Sequence, residues 1–190
     1  MEFDLIIRHA KLHRQQNLVD IAVKDGEFVK IAGDLSSGRA SHELEAAGRL
    51  VVPPFIDTHV HLDAVLTVGQ PRYNASGTLL EGIQIWSERK PSLTREDVKR
   101  RALEEIRWEV AQGTLYIRSH VDVCDPDLTA LRALIEVREE VRDICDVQLV
   151  AFPQDGIMSF PNGRELMRKA MKLGCDVVGG IPHYLSLIHI

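Results

Sequence analysis

From Val51 onwards the sequence alternates between short apolar runs and amphipathic stretches. The predicted order is strand, helical segment, strand, helix, strand, helix, strand. Alternation of this kind predicts a parallel sheet with right-handed crossovers. Four such strands are enough for the first half of an eight-stranded β/α barrel or for a small open sheet. A nucleotide-binding open sheet would carry a glycine-rich loop after its first strand, and the sequence has none there.

The clearest of the predicted helices covers residues 94–112. Thr94 can cap its N-terminus, Gly113 follows its C-terminus, and apolar side chains recur every four residues. These apolar side chains are Val98, Ala102, Ile106 and Val110. The same reasoning predicts helices over 127–142 and 162–173, and strands over 115–123, 146–152 and 176–181.

Residues 1–50 carry a different pattern, made of short alternating segments that predict strands. The segments cover residues 4–12, 19–23 and 27–31. Asp25-Gly26, between the last two, is typical of a two-residue hairpin turn. We therefore predict a small β-sandwich-like subdomain that includes residues 1–50, followed by four β/α units over residues 51–184.

The composition is that of an ordinary globular protein, with 45% hydrophobic residues, 27% charged residues and a net charge of −5. It gives no reason to expect a nucleic-acid or membrane partner, and the N-terminus has no signal pattern. The cysteines, Cys124, Cys145 and Cys175, are odd in number and form no paired motif. This usage favours buried thiols in a reduced, cytoplasmic setting.

Polar side chains gather at the predicted carboxyl ends of the strands, where β/α barrels carry their chemistry. In chain order they are His59, His61 and Asp63; His120 and Asp122; Gln154 and Asp155; and His183. Because successive side chains of a strand point to opposite faces, His59 and His61 share one face and can hold one metal ion. The alternative is a pair of packed or solvated histidines at a strand end.

Six short motifs resemble those of cytosine deaminases of the amidohydrolase superfamily, and the resemblance extends to about Tyr184. The motifs are His59-Val-His-Leu-Asp63, Gly69-Gln-Pro71, Ser76-Gly-Thr-Leu79 with Glu81-Gly82, Ser119-His-Val-Asp-Val123, Ala151-Phe-Pro-Gln154 and Gly180-Ile-Pro-His183. The resemblance implies the first half of a metal-dependent (β/α)8 TIM-type barrel, with a small β subdomain built from both chain ends. It also implies a homo-oligomer that acts on a small nucleobase.

The resemblance further implies that His59 and His61 are metal ligands, that Gln154 contacts the pyrimidine edge and that Leu79 lines the base pocket. One divalent ion, with iron or zinc favoured, would lower the pKa of its water to about 7 and supply hydroxide to C4 of cytosine. Gln154 suits the base because an amide offers both a donor and an acceptor. A glutamine that merely caps a strand end is the alternative.

The roles of the remaining polar residues stay open. His120 and Asp122 would line the pocket, orient the ligands from behind, or form structural polar packing. Asp63 is more often a residue that fixes the loop after the ligands than one that touches substrate. His183 would either face the site or point away from it.

Two other classes of hydrolase lack support in the sequence. The H-x-E and P-C-x-x-C signature of the cytidine deaminase fold is absent. Hydantoinase-like relatives bridge two metals with a carboxylated lysine at the end of the fourth strand, and residues 179–184 contain no lysine. The sequence therefore favours a single-metal deaminase.

The resemblance also calls for four further strands, which would bring two histidines, a glutamate and a metal-binding aspartate. Residues 1–190 contain no such strands, so we expect the chain to behave as an N-terminal fragment with little or no activity. Residues 185–190 depart from the family pattern, in which a glutamate follows Tyr184. Their sequence resembles translated sequencing adapter, and we expect a non-native tail.

Three functional hypotheses remain. The first is hydrolytic deamination of cytosine to uracil and ammonia. The second is a single-metal deaminase of a related ring, such as isoguanine, a triazine or creatinine. The third is a truncated, non-catalytic domain that serves as a binding or assembly module.

Overall fold

In the computed structural model, which describes residues 2–181, Asp25 and Gly26 form the tight turn that the sequence predicts. Their φ angles are positive, at 52° and 80°, as the two central positions of a type I′ hairpin turn require. The turn joins strand β2 (Val19–Lys24) to strand β3 (Glu27–Ala32) in an antiparallel pair. The predicted hairpin is therefore confirmed.

The hairpin belongs to a five-stranded sheet within the first of two structural units, Met1–Pro53. Its other strands are β1 (Glu2–Leu12), β4 (Arg39–Glu45) and β5 (Leu50–Val51), and the order is β3-β2-β1-β4, with β5 paired to β1. The sequence prediction missed β4. The reason is that β4 is mostly exposed and polar, so that it lacks the apolar alternation by which strands are recognised.

The second unit, Pro54–Ile190, contains the four-stranded parallel sheet that the alternating pattern predicts, in the order β6-β7-β8-β9. Its strands are β6 (Phe55–Val60), β7 (Thr114–Asp122), β8 (Asp146–Phe152) and β9 (Val177–Val178). Its helices are α1 (Leu79–Arg89), α2 (Arg95–Ala111), α3 (Thr129–Val141) and α4 (Gly163–Leu173), and a 3-10 turn, Lys90–Ser92, follows α1. The fold is thus mixed α/β, whereas completion into a barrel stays a prediction.

Helix α2 begins and ends as its sequence predicts. The Thr94 hydroxyl accepts a hydrogen bond from the Asp97 N–H at 3.1 Å, and Gly113 follows the helix with a φ of 94°. Its apolar stripe packs with α3 and the sheet in one core. The fully buried members of that core include Val98, Ala102, Ile106, Val121, Leu131, Leu134 and Leu149. In the part of the chain that the structure describes, no helix is both long and apolar enough to cross a membrane.

Strands β7 and β8 pair in an unbroken parallel register, in which Asp122 lies opposite Phe152. The pairing of β6 with β7 is irregular between Asp57 and Val60. The Asp57 carboxylate accepts the His59 backbone N–H at 2.8 Å within this irregular stretch, a local contact typical of an Asx turn. The parallel strands end at one common edge of the sheet. His59, the first predicted metal ligand, lies in the irregular stretch at the end of β6.

We expect Leu134→Ala to lower the free energy of unfolding of the second unit by about 2–5 kcal/mol, because it opens a cavity in the core between α3 and the sheet. Leu134 is 1% exposed. Urea unfolding followed by tryptophan fluorescence measures this effect, since both tryptophans lie in the second unit. The matched control is Leu80→Ala on α1, where the side chain is 70% exposed. Equal midpoints for the two variants would contradict the assigned core.

Candidate active site

A cavity of about 410 Å³ lies at the carboxyl ends of β6 and β8. Its walls come from the end of β6, from α1 and from the segments that follow β8 and β9. The lining residues are His59, His61, Asp63, Ala64, Leu79, Gly82, Ile83, Trp86, Phe152, Gln154 and Ile181. Four residues to which the sequence resemblance gave roles, His59, His61, Leu79 and Gln154, therefore surround one space.

Three histidine rings meet beside this cavity. The ring centroids of His59 and His61 are 5.3 Å apart, and the His120 ring stacks on His59 at 4.0 Å. Within residues 2–181, no group of three or more His, Cys, Asp or Glu side chains has the geometry of a metal site. The described residues thus offer a pair of imidazoles rather than the three protein ligands of a complete catalytic zinc site.

The protonation states of His61 and His120 suit metal binding. Burial, together with the neighbouring His59, lowers the pKa of His61. Burial and the other two histidines lower the pKa of His120 to about 4. Both rings are therefore neutral at neutral pH, and the neutral imidazole is the form that binds a metal ion. The buried Nδ1 of His120 has no hydrogen-bond partner among the described residues.

Asp63 is buried at the cavity wall and is 1% exposed. One carboxylate oxygen accepts the Asp122 backbone N–H at 2.8 Å, and the other, also buried, has no partner among the described residues. Burial raises the pKa of Asp63 to about 7, against the opposing effect of the hydrogen bond. Asp63 thus joins the end of β6 to the end of β7, as expected for a residue that fixes this loop.

The backbone next to the histidine pair has two further supports. The Ser119 hydroxyl, fully buried on β7, accepts the Leu62 N–H at 3.1 Å. The buried Arg101 guanidinium donates to the Val65 carbonyl at 2.6 Å and to Asp97 at 3.0 Å. These bonds hold the chain on the C-terminal side of His61, so the ring is carried by an ordered backbone.

Asp122 is not among the residues that line the cavity, and its contacts bear on the alternatives left open for it. One of its oxygens accepts the Cys124 N–H at 2.8 Å. The other accepts the Trp86 indole N–H at 2.9 Å and lies 3.0 Å from the Lys90 ammonium. The carboxylate is 3% exposed, so the geometry favours the structural alternative for Asp122.

The other predicted site residues have different outcomes. Gln154 and Leu79 line the cavity, and Leu79 at the start of α1 is 74% exposed. His120 reaches the site through its stacking on His59 and is not among the lining residues. His183 and residues 185–190 lie outside the described residues.

Apart from Leu79, the contribution of α1 to the cavity was not predicted from the sequence. Leu79, Ile83 and Trp86 line it from one face of the helix. Their spacing of four and three residues is the apolar periodicity of a helix, so the signal was present. Lys90 was also missed, because no local sequence pattern marks a role for it.

A second cavity, of about 560 Å³, lies toward the amino ends of the strands. Ile56, Tyr116 and Arg118 line it from the sheet, and Arg118 donates to Gln148 at 2.6 Å. Since β/α folds carry their chemistry at the carboxyl ends of the strands, the cavity beside the histidines is the candidate site.

The sequence profile of the Amidohydrolase family matches residues 43–187. The chain is 35% identical to N-isopropylammelide isopropyl amidohydrolase of Pseudomonas sp. (strain ADP), over 95% of this chain and 46% of that protein. It is 34% identical to pterin deaminase of Rhizobium rhizogenes, over 72% of this chain and 32% of that protein.

The structure resembles that of 5-methylcytosine deaminase from Klebsiella pneumoniae liganded with 5-fluorocytosine. The TM-score is 0.89 and the identity 49%, over 95% of this chain and 44% of that chain. The 190-residue chain therefore spans less than half the length of these relatives. By its family profile and its relatives, the chain belongs to the amidohydrolase family of hydrolases.

Proposed function

We propose that the chain is the metal- and base-binding part of a hydrolase that deaminates cytosine, or its 5-methyl derivative, to the corresponding uracil and ammonia. The observation that carries this proposal is that His59, His61, Leu79 and Gln154, from three separate segments, line one cavity. The 49% identity to 5-methylcytosine deaminase over 95% of the chain supports the pyrimidine class.

His59 and His61 would hold one divalent ion, and iron or zinc suits their imidazole nitrogens. When bound, the ion supplies an activated water near neutral pH. Because the pKa of His61 is lowered, its ring stays neutral, and so able to bind the ion, to a lower pH than an ordinary histidine. The remaining ligands would come from the portion of the relatives' length that this chain does not span.

Gln154 would read the pyrimidine edge, since its amide can donate to a ring carbonyl and accept from an amino group. Leu79, Ile83 and Trp86 of α1 would cover the ring with an apolar wall. Phe152, whose ring centroid is 5.5 Å from that of His61, would close the other side. The base would thus lie between an apolar helix face and the histidine edge.

A related ring is the second candidate substrate, because the chain is also 35% and 34% identical to an N-isopropylammelide hydrolase and a pterin deaminase. Isoguanine, triazines and creatinine belong to the same candidate group. The family assignment counts against a purely non-catalytic module for the complete protein. The 190-residue chain alone is still expected to have little or no activity.

The complete reading frame should release ammonia faster from cytosine and 5-methylcytosine than from isoguanine, N-isopropylammelide or pterin. The assay follows release of ammonia, or of isopropylamine in the case of N-isopropylammelide, by the metal-loaded protein under matched conditions, expressed as kcat/KM. A higher kcat/KM for one of the other three rings would support the second candidate. No turnover of any ring by a folded, metal-loaded protein would contradict both.

Gln154→Ala should reduce kcat/KM for cytosine about 5- to 150-fold, which corresponds to about 1–3 kcal/mol for a polar contact left unmade. The matched control is Gln148→Ala on β8, the strand that precedes Gln154, because Gln148 lines the other cavity. Equal losses of kcat/KM in the two variants would contradict the assigned role of Gln154.

His61→Asn should weaken metal binding more than about tenfold, since even changes behind a ligand cost about 10–100-fold in affinity. Calorimetric titration of the metal-free chain with Zn²⁺ or Co²⁺ measures this effect. His42→Asn, on exposed β4, is the control. Affinity should fall as the pH drops, because protons compete for the imidazoles. An unchanged affinity in His61→Asn would remove His61 from the ligand set.

A further inference from the structure

Helix α1 forms a wall of the candidate site although none of its side chains is buried. Leu79 and Leu80 at its start are 74% and 70% exposed. Ile83, Ile85 and Trp86 are only partly buried, so the apolar burial that anchors most helices to a sheet is incomplete here. Contacts of another kind add to the hold on this helix over the cavity.

Most of the polar contacts of α1 do not reach the strand ends. Arg72 in the preceding loop pairs with Glu81 at 2.6 Å and with Glu88 at 3.0 Å. Arg89 pairs with Asp97 of α2 at 2.7 Å. These pairs connect α1 to the preceding loop and to the next helix. They do not fix the distance between α1 and the ends of the strands.

Most of the contacts that do reach the strand ends come from Lys90, directly after α1, and the Ser87 hydroxyl of α1 adds one to Asp155 at 3.5 Å. Its ammonium lies 3.0 Å from the Asp122 carboxylate at the end of β7 and also bonds the Asp155 carboxylate after β8. It reaches the Cys124 carbonyl at 3.4 Å and lies 5.7 Å from the centroid of the Phe160 ring. One buried cation thus joins the end of α1 to the ends of two strands.

Trp86 shares one of these partners. Its indole N–H donates to the same Asp122 oxygen that faces Lys90, at 2.9 Å. The Trp86 ring therefore lines the cavity in an orientation set by Asp122. One turn later, Lys90 neutralises the carboxylate on which that orientation depends.

The charge balance favours this arrangement. The Lys90 side chain is 12% exposed and Asp122 is 3% exposed. Burial opposes the charge on the ammonium, but Asp122 and Asp155 outweigh it and raise the pKa of Lys90. Removal of the ammonium would leave the buried Asp122 carboxylate without its cation, and such a carboxylate is strongly disfavoured.

We propose that Lys90 is a positioning residue for the substrate cavity: by bridging Asp122 and Asp155 it holds α1, and with it the Trp86 ring, against the strand ends. Lysine fits this position because an ammonium offers three rotatable donors, and three acceptors surround it. The catalytic consequence rests on the proposed deaminase function. The structural consequence, a fixed Trp86, does not.

The structural consequence is tested in the 190-residue chain carrying Trp108→Phe, which leaves Trp86 as the only tryptophan. Lys90→Met should shift Trp86 emission to the red and increase its quenching by acrylamide, whereas Lys90→Arg should remain closer to the parent. Lys99→Met is the control, because among residues 2–181 Lys99 pairs only with α3 residues, at 3.1 and 3.7 Å. Unchanged emission and quenching in Lys90→Met would overturn the proposal.

Asp155→Asn covers the case in which Lys90→Met does not fold, as judged by circular dichroism. It removes one of the two carboxylates and leaves Lys90 paired with Asp122. Its quenching should change in the same direction and by less. Quenching of Asp155→Asn equal to that of the parent would also count against the bridge.

The catalytic consequence is tested in the complete, metal-loaded protein. Lys90→Met should raise the KM for cytosine roughly tenfold and change kcat much less, because the groups proposed to act on the ring are held by other elements. Lys90→Arg should restore part of the loss. An active parent with unchanged KM in Lys90→Met would overturn the inference. A parent inactive on every ring would instead overturn the proposed function, and the Trp86 measurement would still decide the role of Lys90.

Discussion

The hydrogen bond from the Asp122 N–H to the Asp63 carboxylate, 2.8 Å long, joins the ends of β6 and β7 at the point where the site is built. Asp63 follows the histidine pair by two residues, and Asp122 follows His120 by two. The bond therefore fixes the two segments that carry the three histidine rings. Burial strengthens this bond, because water cannot compete for either group at this place.

The same two residues extend the support to the cavity wall. Through its own carboxylate, Asp122 receives the Trp86 indole N–H and faces the Lys90 ammonium. Asp63 thus orders the backbone of Asp122, and Asp122 orders the helix that covers the cavity. A chain of contacts between strand ends and α1 adds to the incomplete apolar packing of this helix. This interdependence favours a structural role for the buried carboxylate of Asp122, although it lies so near the site.

Local patterns were sufficient to predict much of the fold and part of the site. Three features depend only on neighbouring residues: the cap at Thr94, the apolar stripe of α2 and the Asp25-Gly26 turn. The structure shows each of them at the predicted position. The gathering of His59, His61 and Gln154 followed from strand ends sharing one edge. The environment of Asp122 did not follow, because its partners lie 32 and 36 positions away on an element whose path no local rule describes. β4 was missed for a related reason: its pairing with β1 defines it, and its own residues do not.

The histidines and the apolar wall of the candidate site are held by different kinds of contact. The histidines lie at strand ends whose backbone N–H groups donate to Ser119 and Asp63. Binding of a different substrate ring would not disturb these hydrogen bonds. The apolar wall stands on α1, whose link to the strand ends runs through side chains, chiefly that of Lys90. A wall held in this way can change shape while the proposed metal site stays fixed. In this chain, substitutions in the wall or at Lys90 would therefore change the shape of the pocket without removing a proposed metal ligand.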